Sequence, residues 1–224
     1  MVSFARFTRL TSRFNVMTDS NETRIRILEA AVRVFSQKGY HETRVDDIVA
    51  ESGSSKGSLY FHFPSKEKIF LALIDTFTSL LETRLRESLE KEEHGLQQLD
   101  SALQSSLKLF QQYRGLAKIV LVQAVGLGAA FEEHRRSIND RFAAIIQNRL
   151  ERGISDGSIP PLQTEIAARA WVGALNEIVI HWIYSGDTDL QETLPALRIF
   201  LLRSIGISEE RIARNLDQSN KENP

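Results

Sequence analysis

The chain of 224 residues contains no cysteine. That excludes disulfides, thiolate catalysis and cysteine-ligated zinc, and it suits a reducing compartment such as the cytoplasm. His41, His94, His134 and His181 are scattered, with no i, i+4 pair to clamp a metal. Neither a metal nor a cofactor is therefore expected. No apolar run approaches the roughly 20 residues needed to span a bilayer, so no membrane partner is expected. Sustained alternation of apolar and polar residues between turn signals is missing too, which argues against strands. Excess charge of either sign is also lacking. The formal net charge is −1, so the chain cannot coat a polyanion in bulk and any nucleic-acid site must be local.

What is present is helical pattern and one uneven patch of charge. Residues 1–68 hold 11 Lys and Arg against 8 Asp and Glu, and the remaining residues hold 17 against 21. The first 18 residues contain Arg6, Arg9 and Arg13 but no acid. They lack the apolar core of a secretory signal and read, within a segment 1–21, as a basic arm or as sequence upstream of a start at Met17. A first helix is expected over about 22–38, with Leu28, Ala31, Val32 and Phe35 on one face and Gly39 as a left-handed stop. Thr43-Arg44-Val45-Asp46 fits a capping box that opens a short helix, and Gly53 breaks it. Ser54 or Ser55 caps the next helix, about 55–62, which Pro64 ends. Ser65 starts a long fourth helix with the stripe Phe70, Leu73, Ile74, Phe77, Leu81, Leu85 and Leu89.

Two short helices joined through Gly53 and backed by a first helix describe a helix-turn-helix at about 45–63. Its second helix would enter the major groove with its N-terminal residues toward the bases. Ser55, Gly57 and Ser58 are small enough for close approach, and Lys56 supplies charge. Tyr60 and His62 can donate hydrogen bonds, the lesser reading of His62 being that it only closes the helix end. Leu59 and Phe63 read as core anchors. Lys66 and Lys68 lie where a helix start and cations together would hold a phosphate.

These residues resemble the TetR family of bacterial regulators. The match covers about 22–70. It comprises Ala30-Ala31, Phe35 and Lys38-Gly39-Tyr40, then Thr43 and Ile48, then Ser52-Gly53-Ser54. Lys56-Gly57, Leu59-Tyr60, His62-Phe63 and Lys66-Glu67 complete it. The resemblance implies an all-α homodimer, with a DNA-binding domain over 22–68, a ligand-sensing and dimerising domain over 69–207, and a polar tail over 208–224. Its DNA contacts carry over onto Val45, Ser54, Ser55, Lys56, Gly57, Ser58, Tyr60, Phe61, His62 and Lys66. Arg44 stands where such sequences often have threonine, which adds a further expected contact. Phe61 has no hydrogen-bonding group, so its contact would be apolar, as to a thymine methyl.

Gly53-x-Ser55-x-Gly57 also spells the nucleophile elbow of serine hydrolases, but that elbow follows a strand and here a helix is expected before it. Further C-terminal helices are marked by Leu99, Leu103, Leu107 and Phe110, by the apolar run Ile119 to Val125, and by Phe142, Ile145, Ile146 and Leu150. Gly126-Leu127-Gly128 reads as a helix break or a close helix contact. Two last helices, roughly 164–184 and 189–205, are apolar on more than one stripe, as in a buried core or an oligomer interface. By the resemblance they form the dimer bundle.

The expected protein is a ligand-responsive regulator, read as a repressor that binds a palindromic double-stranded operator as a dimer. An activator of the same fold is the alternative. An apolar or aromatic effector would lie among Phe77, Leu81, Phe110, Phe142, Trp171 and Trp182, with Gln123 and Asn176 as polar fixings. The same side chains would serve as core, the ordinary fate of such stripes.

Overall fold

The computed structural model describes residues 19–90, 95–185 and 189–212. The expected N-terminal arm up to residue 18, His94 and the tail from residue 213 lie outside them. Among the described residues the chain is helical and contains no strand. The order is α1 (Asp19–Lys38), α2 (Val45–Ser52), α3 (Lys56–His62), α4 (Lys66–Glu90), α5 (Gly95–Gln112) and α6 (Arg114–Lys118). A π-helical turn (Ile119–Gln123) follows, then α7 (Ala129–Ser155), α8 (Thr164–Ser185), a 3₁₀ turn (Leu190–Thr193) and α9 (Leu194–Ser204).

The chain divides into two compact units. The first takes in the residues up to Thr78 and also Gln112–Phe131; the second takes in Ser79–Gln111 and the residues from Glu132 onward. In the first unit the α1 stripe is fully used: Ile27, Leu28, Ala31 and Phe35 are buried, together with Ile48 of α2, Leu59 of α3, and Ile69, Phe70 and Leu73 of α4. Phe35, Tyr40 and Phe70 form an aromatic cluster, with ring centroids 5.2 Å apart for Phe35–Phe70 and 4.7 Å for Tyr40–Phe70. Leu59 and Phe63 anchor the seven-residue α3. Each such burial stabilises by about 1.5–3 kcal/mol, which a helix too short to stand alone requires.

The helix boundaries follow from local chemistry. Gly39 (φ 83°) and Gly53 (φ 63°) are both left-handed, so the two stops expected from sequence are present. Ser55 caps α3 by accepting from the Ser58 N–H at 3.0 Å, and Ser65 caps α4 by accepting from the Lys68 N–H at 3.2 Å. The start of α2 differs from expectation by one residue. Arg44 is the N-cap, and its N–H donates to the Asp47 carboxylate at 2.8 Å. Thr43 is buried instead, its hydroxyl donating to the Gly39 carbonyl at 2.6 Å.

Two later expectations are also corrected. The apolar run from Ile119 is not an ordinary helix but a π turn, closed by the Ala124 N–H on the Ile119 carbonyl at 2.9 Å. The last helix is split, because the Asp189 carboxylate accepts from the Gln191 N–H at 2.9 Å and starts a 3₁₀ turn. Pro195 then sits in the first turn of α9, where a missing N–H costs nothing. Gly126 and Gly128, at φ 77° and 115°, make the expected break before α7.

The second unit is built on Leu85, Leu99, Leu103, Leu107, Leu150, Trp171, Val179, Trp182 and Leu201, all buried. Among the described residues its one buried cation is Arg198 of α9, paired with Asp100 of α5. Phe200 of α9 is 61% exposed. Ile166 and Tyr184 of α8 are also exposed.

Candidate nucleic-acid interface

The outward side of α3 collects the residues expected to meet DNA. Lys56, Gly57, Tyr60 and Phe61 are exposed, and Ser58 and His62 are half-buried. A Cβ built on Gly57 would meet only the Ser55 hydroxyl, at 3.9 Å. The fold itself does not demand glycine there, whereas close approach by another molecule would. Tyr60 is 44% and Phe61 79% exposed, and the Phe61 ring meets the His62 ring edge-on at 5.1 Å. Phe63 points the other way, into the core, with the Arg24 guanidinium over its ring at 5.2 Å. Ser54 is held by a hydroxyl pair with Ser52 at 2.7 Å. Val45 is half-buried and Arg44 exposed at the start of α2.

Charges tie this surface together. Lys56 pairs with Asp46 of α2 at 2.7 Å, and that carboxylate holds the ammonium above its ordinary pKa. Both groups are solvent-exposed, so the pair is weak and its lysine is available for exchange onto a phosphate. Lys38 of α1 pairs with Asp47 at 2.8 Å, and Arg33 with Glu51 at 2.5 Å. The hydrogen bond from Lys38, assisted by the Arg44 N–H, pulls Asp47 below the usual aspartate range.

Lys66 has a different task from the phosphate contact expected of it. Its ammonium donates to the carbonyls of Tyr40 at 2.7 Å and Thr43 at 2.9 Å, with His41 at 3.4 Å, and lies 4.4 Å from the centre of the Tyr40 ring. Its three donors are spent on the loop between α1 and α2. Desolvation there pushes its pKa below the ordinary lysine value.

The expected effector residues divide between the units. Phe77 and Gln123 belong to the first, the rest to the second. The Gln123 amide N–H donates to the Phe35 carbonyl at 2.8 Å, which holds its donor end against α1. Phe77, Leu81, Phe110, Trp171 and Trp182 are buried, and Phe142 is half-buried. The Trp171 indole N–H donates to Ser204 at 3.0 Å, and Asn176 donates to Asn139 at 3.4 Å. Among the described residues no helix is long and apolar enough to cross a membrane. Ser55 follows α2 rather than a strand, and its hydroxyl is engaged as a helix cap, so the nucleophile-elbow arrangement is not formed.

Sequence reasoning did not assign Asp46 as the partner of Lys56, nor Lys118, whose ammonium donates to the Ser36 carbonyl at 3.0 Å. Both pairings join separate elements, and periodicity within one element carries no signal for them.

Comparison with known proteins agrees with this geometry. The family described as bacterial regulatory proteins, tetR family, matches residues 27–73. A second, described as tetracyclin repressor-like, C-terminal domain, matches 92–196. The HTH-type transcriptional regulator YfiR of Bacillus subtilis (strain 168) is 34% identical over 144 residues, covering 61% of this chain and 68% of that protein. The fatty acid metabolism regulator protein of the same organism is 26% identical over 163 residues, covering 71% and 82%. The crystal structure of the transcriptional regulator FadR from Bacillus subtilis in complex with stearoyl-CoA shares the fold. Its TM-score is 0.72 at 23% identity, covering 82% of this chain and 99% of that one. The matches span both the helix-turn-helix segment and the C-terminal helices, and the chain belongs to the TetR family of DNA-binding transcriptional regulators.

Proposed function

We propose that the protein is a ligand-responsive repressor that binds a palindromic operator as a homodimer. The observation that carries this reading is the outer side of α3, where the open Gly57, Lys56, Tyr60 and the 79%-exposed Phe61 stand together. Ser54, Ser55, Ser58, His62, Arg44 and Val45 flank them as further DNA contacts. One such helix reads few bases. Two copies about 34 Å apart read a palindrome, and the second copy supplies the missing specificity.

Dimerisation is assigned to α8 and α9. Ile166, Tyr184 and Phe200 lie exposed on these helices at 67%, 69% and 61%. Large apolar groups of that exposure are favoured in contact with a partner. The effector is assigned to the long-chain acyl class, free or as the coenzyme A thioester. The names of two relatives support that class, one a regulator of fatty acid metabolism and one a FadR in complex with stearoyl-CoA. The apolar make-up of the second unit is compatible with it. An effector that prefers one separation of the two reading helices shifts the population toward it by its differential affinity.

The test is selection of duplexes from a random pool by the full-length chain, followed by titration with stearoyl-CoA. A palindromic motif released by stearoyl-CoA is the expected result. Selection of no motif, or loss of no affinity in Lys56→Ala and Tyr60→Ala, would overturn the reading. In a reporter carrying the selected operator, expression should rise when the protein is deleted; a fall would make the protein an activator.

A further inference from the structure

Gln112–Phe131 belongs to the same compact unit as the helix-turn-helix, although Ser79–Gln111 intervenes in the chain. Three features fix it to α1. At Gly115 the two helices run close, since a Cβ there would lie 3.3 Å from Val32 Cγ1 and 3.7 Å from Ser36 Cβ. Lys118 donates to the Ser36 carbonyl at 3.0 Å, and Gln123 to the Phe35 carbonyl at 2.8 Å. Both carbonyls lie in the last turn of α1, and the Phe35 carbonyl, which already accepts from the Gly39 N–H at 2.8 Å, takes Gln123 as a second donor. The Lys118 charge also meets the negative end of that helix.

Lys118 and Gln123 are five residues apart. In an α-helix that spacing turns them about 140° from one another, which would keep them from reaching adjacent carbonyls together. The π turn, closed by the Ala124 N–H on the Ile119 carbonyl, brings the fifth residue back toward the direction of the first. The arrangement carries a local cost. Among the described residues, Gln123 Oε1 is buried without a hydrogen-bond partner, an exception of the kind that marks stored strain or a functional element.

We propose that this π turn is a register-dependent clasp, with Lys118 and Gln123 as positioning residues for operator binding. In the π register both donors hold the end of α1, and with it the Gly39–Thr43 loop on which α2 starts and into which Lys66 is anchored. Return of Ile119–Gln123 to the α register swings Gln123 off the Phe35 carbonyl and frees the end of α1. The clasped state is the operator-competent one. The inference rests on the operator-binding reading above.

The experiment uses the full-length chain and an operator selected from a random pool. Gln123→Leu removes the donor, and Gln123→Lys restores one at similar reach. Deletion of Leu121 shortens the spacing to four residues, which an ordinary α-helix places on one face, and so keeps both donors over α1 without a π turn. Gln123→Leu should bind operator at least about fivefold more weakly, the effect of losing one such hydrogen bond. It should also speed exchange of the Gly39 amide, which donates to the same Phe35 carbonyl, while the α8 amides exchange as before. Gln123→Lys should recover most of the affinity, and the deletion variant should bind as wild type. Binding by Gln123→Leu within about twofold of wild type, with unchanged Gly39 exchange, would overturn the proposal. If circular dichroism shows the deletion variant unfolded, the Leu and Lys variants decide. If the wild-type chain selects no duplex, the operator reading falls, and Gly39 exchange alone decides the clasp: faster exchange in Gln123→Leu supports it and unchanged exchange refutes it.

Discussion

Lys56 and Lys66 stand at the first residues of α3 and α4, and their surroundings assign them different work. The Lys56 ammonium faces one exposed carboxylate, so it can trade Asp46 for a phosphate. Lys66 holds the Tyr40 and Thr43 carbonyls and has no donor left to offer. Each phosphate neutralised by a lysine steepens the salt dependence of log K by about 0.9. Lys56→Met should therefore flatten that slope by about one unit without changing the urea midpoint. Lys66→Met should leave the slope alone and cost about 1–3 kcal/mol of folding stability, as expected for charged hydrogen bonds to part-buried carbonyls. Fluorescence anisotropy at several salt concentrations, beside urea titrations, separates the two. A slope change in Lys66→Met would return that residue to the DNA surface.

At the scale of elements, sequence legibility tracked the range of the interaction. The helix-turn-helix could be read because its signals are local: Gly39 and Gly53 at positive φ, Ser55 and Ser65 as caps, Leu59 and Phe63 at spacings that face one core. The π turn was not legible. Its reason lies in two carbonyls of α1, 82 and 88 positions away along the chain. Nor was the Arg198–Asp100 pair, in which two ordinary-looking charges from distant helices share an interior. By residue type Thr43 suits the cap of α2, yet its hydroxyl is drawn to Gly39 instead and the cap falls one residue later. The carboxylate that does serve there, Asp47, has its pKa lowered in the folded state by Lys38 and the Arg44 N–H. A depressed acid contributes stability that is present above its unfolded pKa and lost as pH falls toward the folded value. Asp47→Asn should thus melt below wild type at neutral pH, with the gap closing once pH drops beneath the ordinary aspartate range. A gap that persists in acid would assign the loss to something other than the charge. Gly153 makes a second element-level case. A Cβ there would lie 2.5 Å from Ile159 Cδ1 and 2.8 Å from Cγ1, with Ile159 buried against it. Gly153→Ala should overpack the turn after α7 and lower stability by about 1–3 kcal/mol in urea titrations.

At the scale of the whole molecule, the weak net charge and the small reading helix point to the same solution. A chain of net charge −1 gains little from bulk attraction to DNA, and α3 has only seven residues to present. In the proposed homodimer, affinity comes from coupling two copies, so that the second half-site is met at a high effective concentration. With the interface proposed on α8 and α9, the exposed Tyr184 and Phe200 are the positions to remove that coupling without touching either reading helix. The double variant Tyr184→Asp, Phe200→Asp should sediment as a monomer and retain the helical signal of the wild type, because neither side chain supports its own core. Its operator affinity should fall steeply. The salt slope of what binding remains should drop to about half, since one copy neutralises half the phosphates. A variant that stays dimeric in sedimentation would move the interface elsewhere. A monomer that keeps the full salt slope would mean that one copy alone makes all the phosphate contacts, and the palindrome would lose its physical basis.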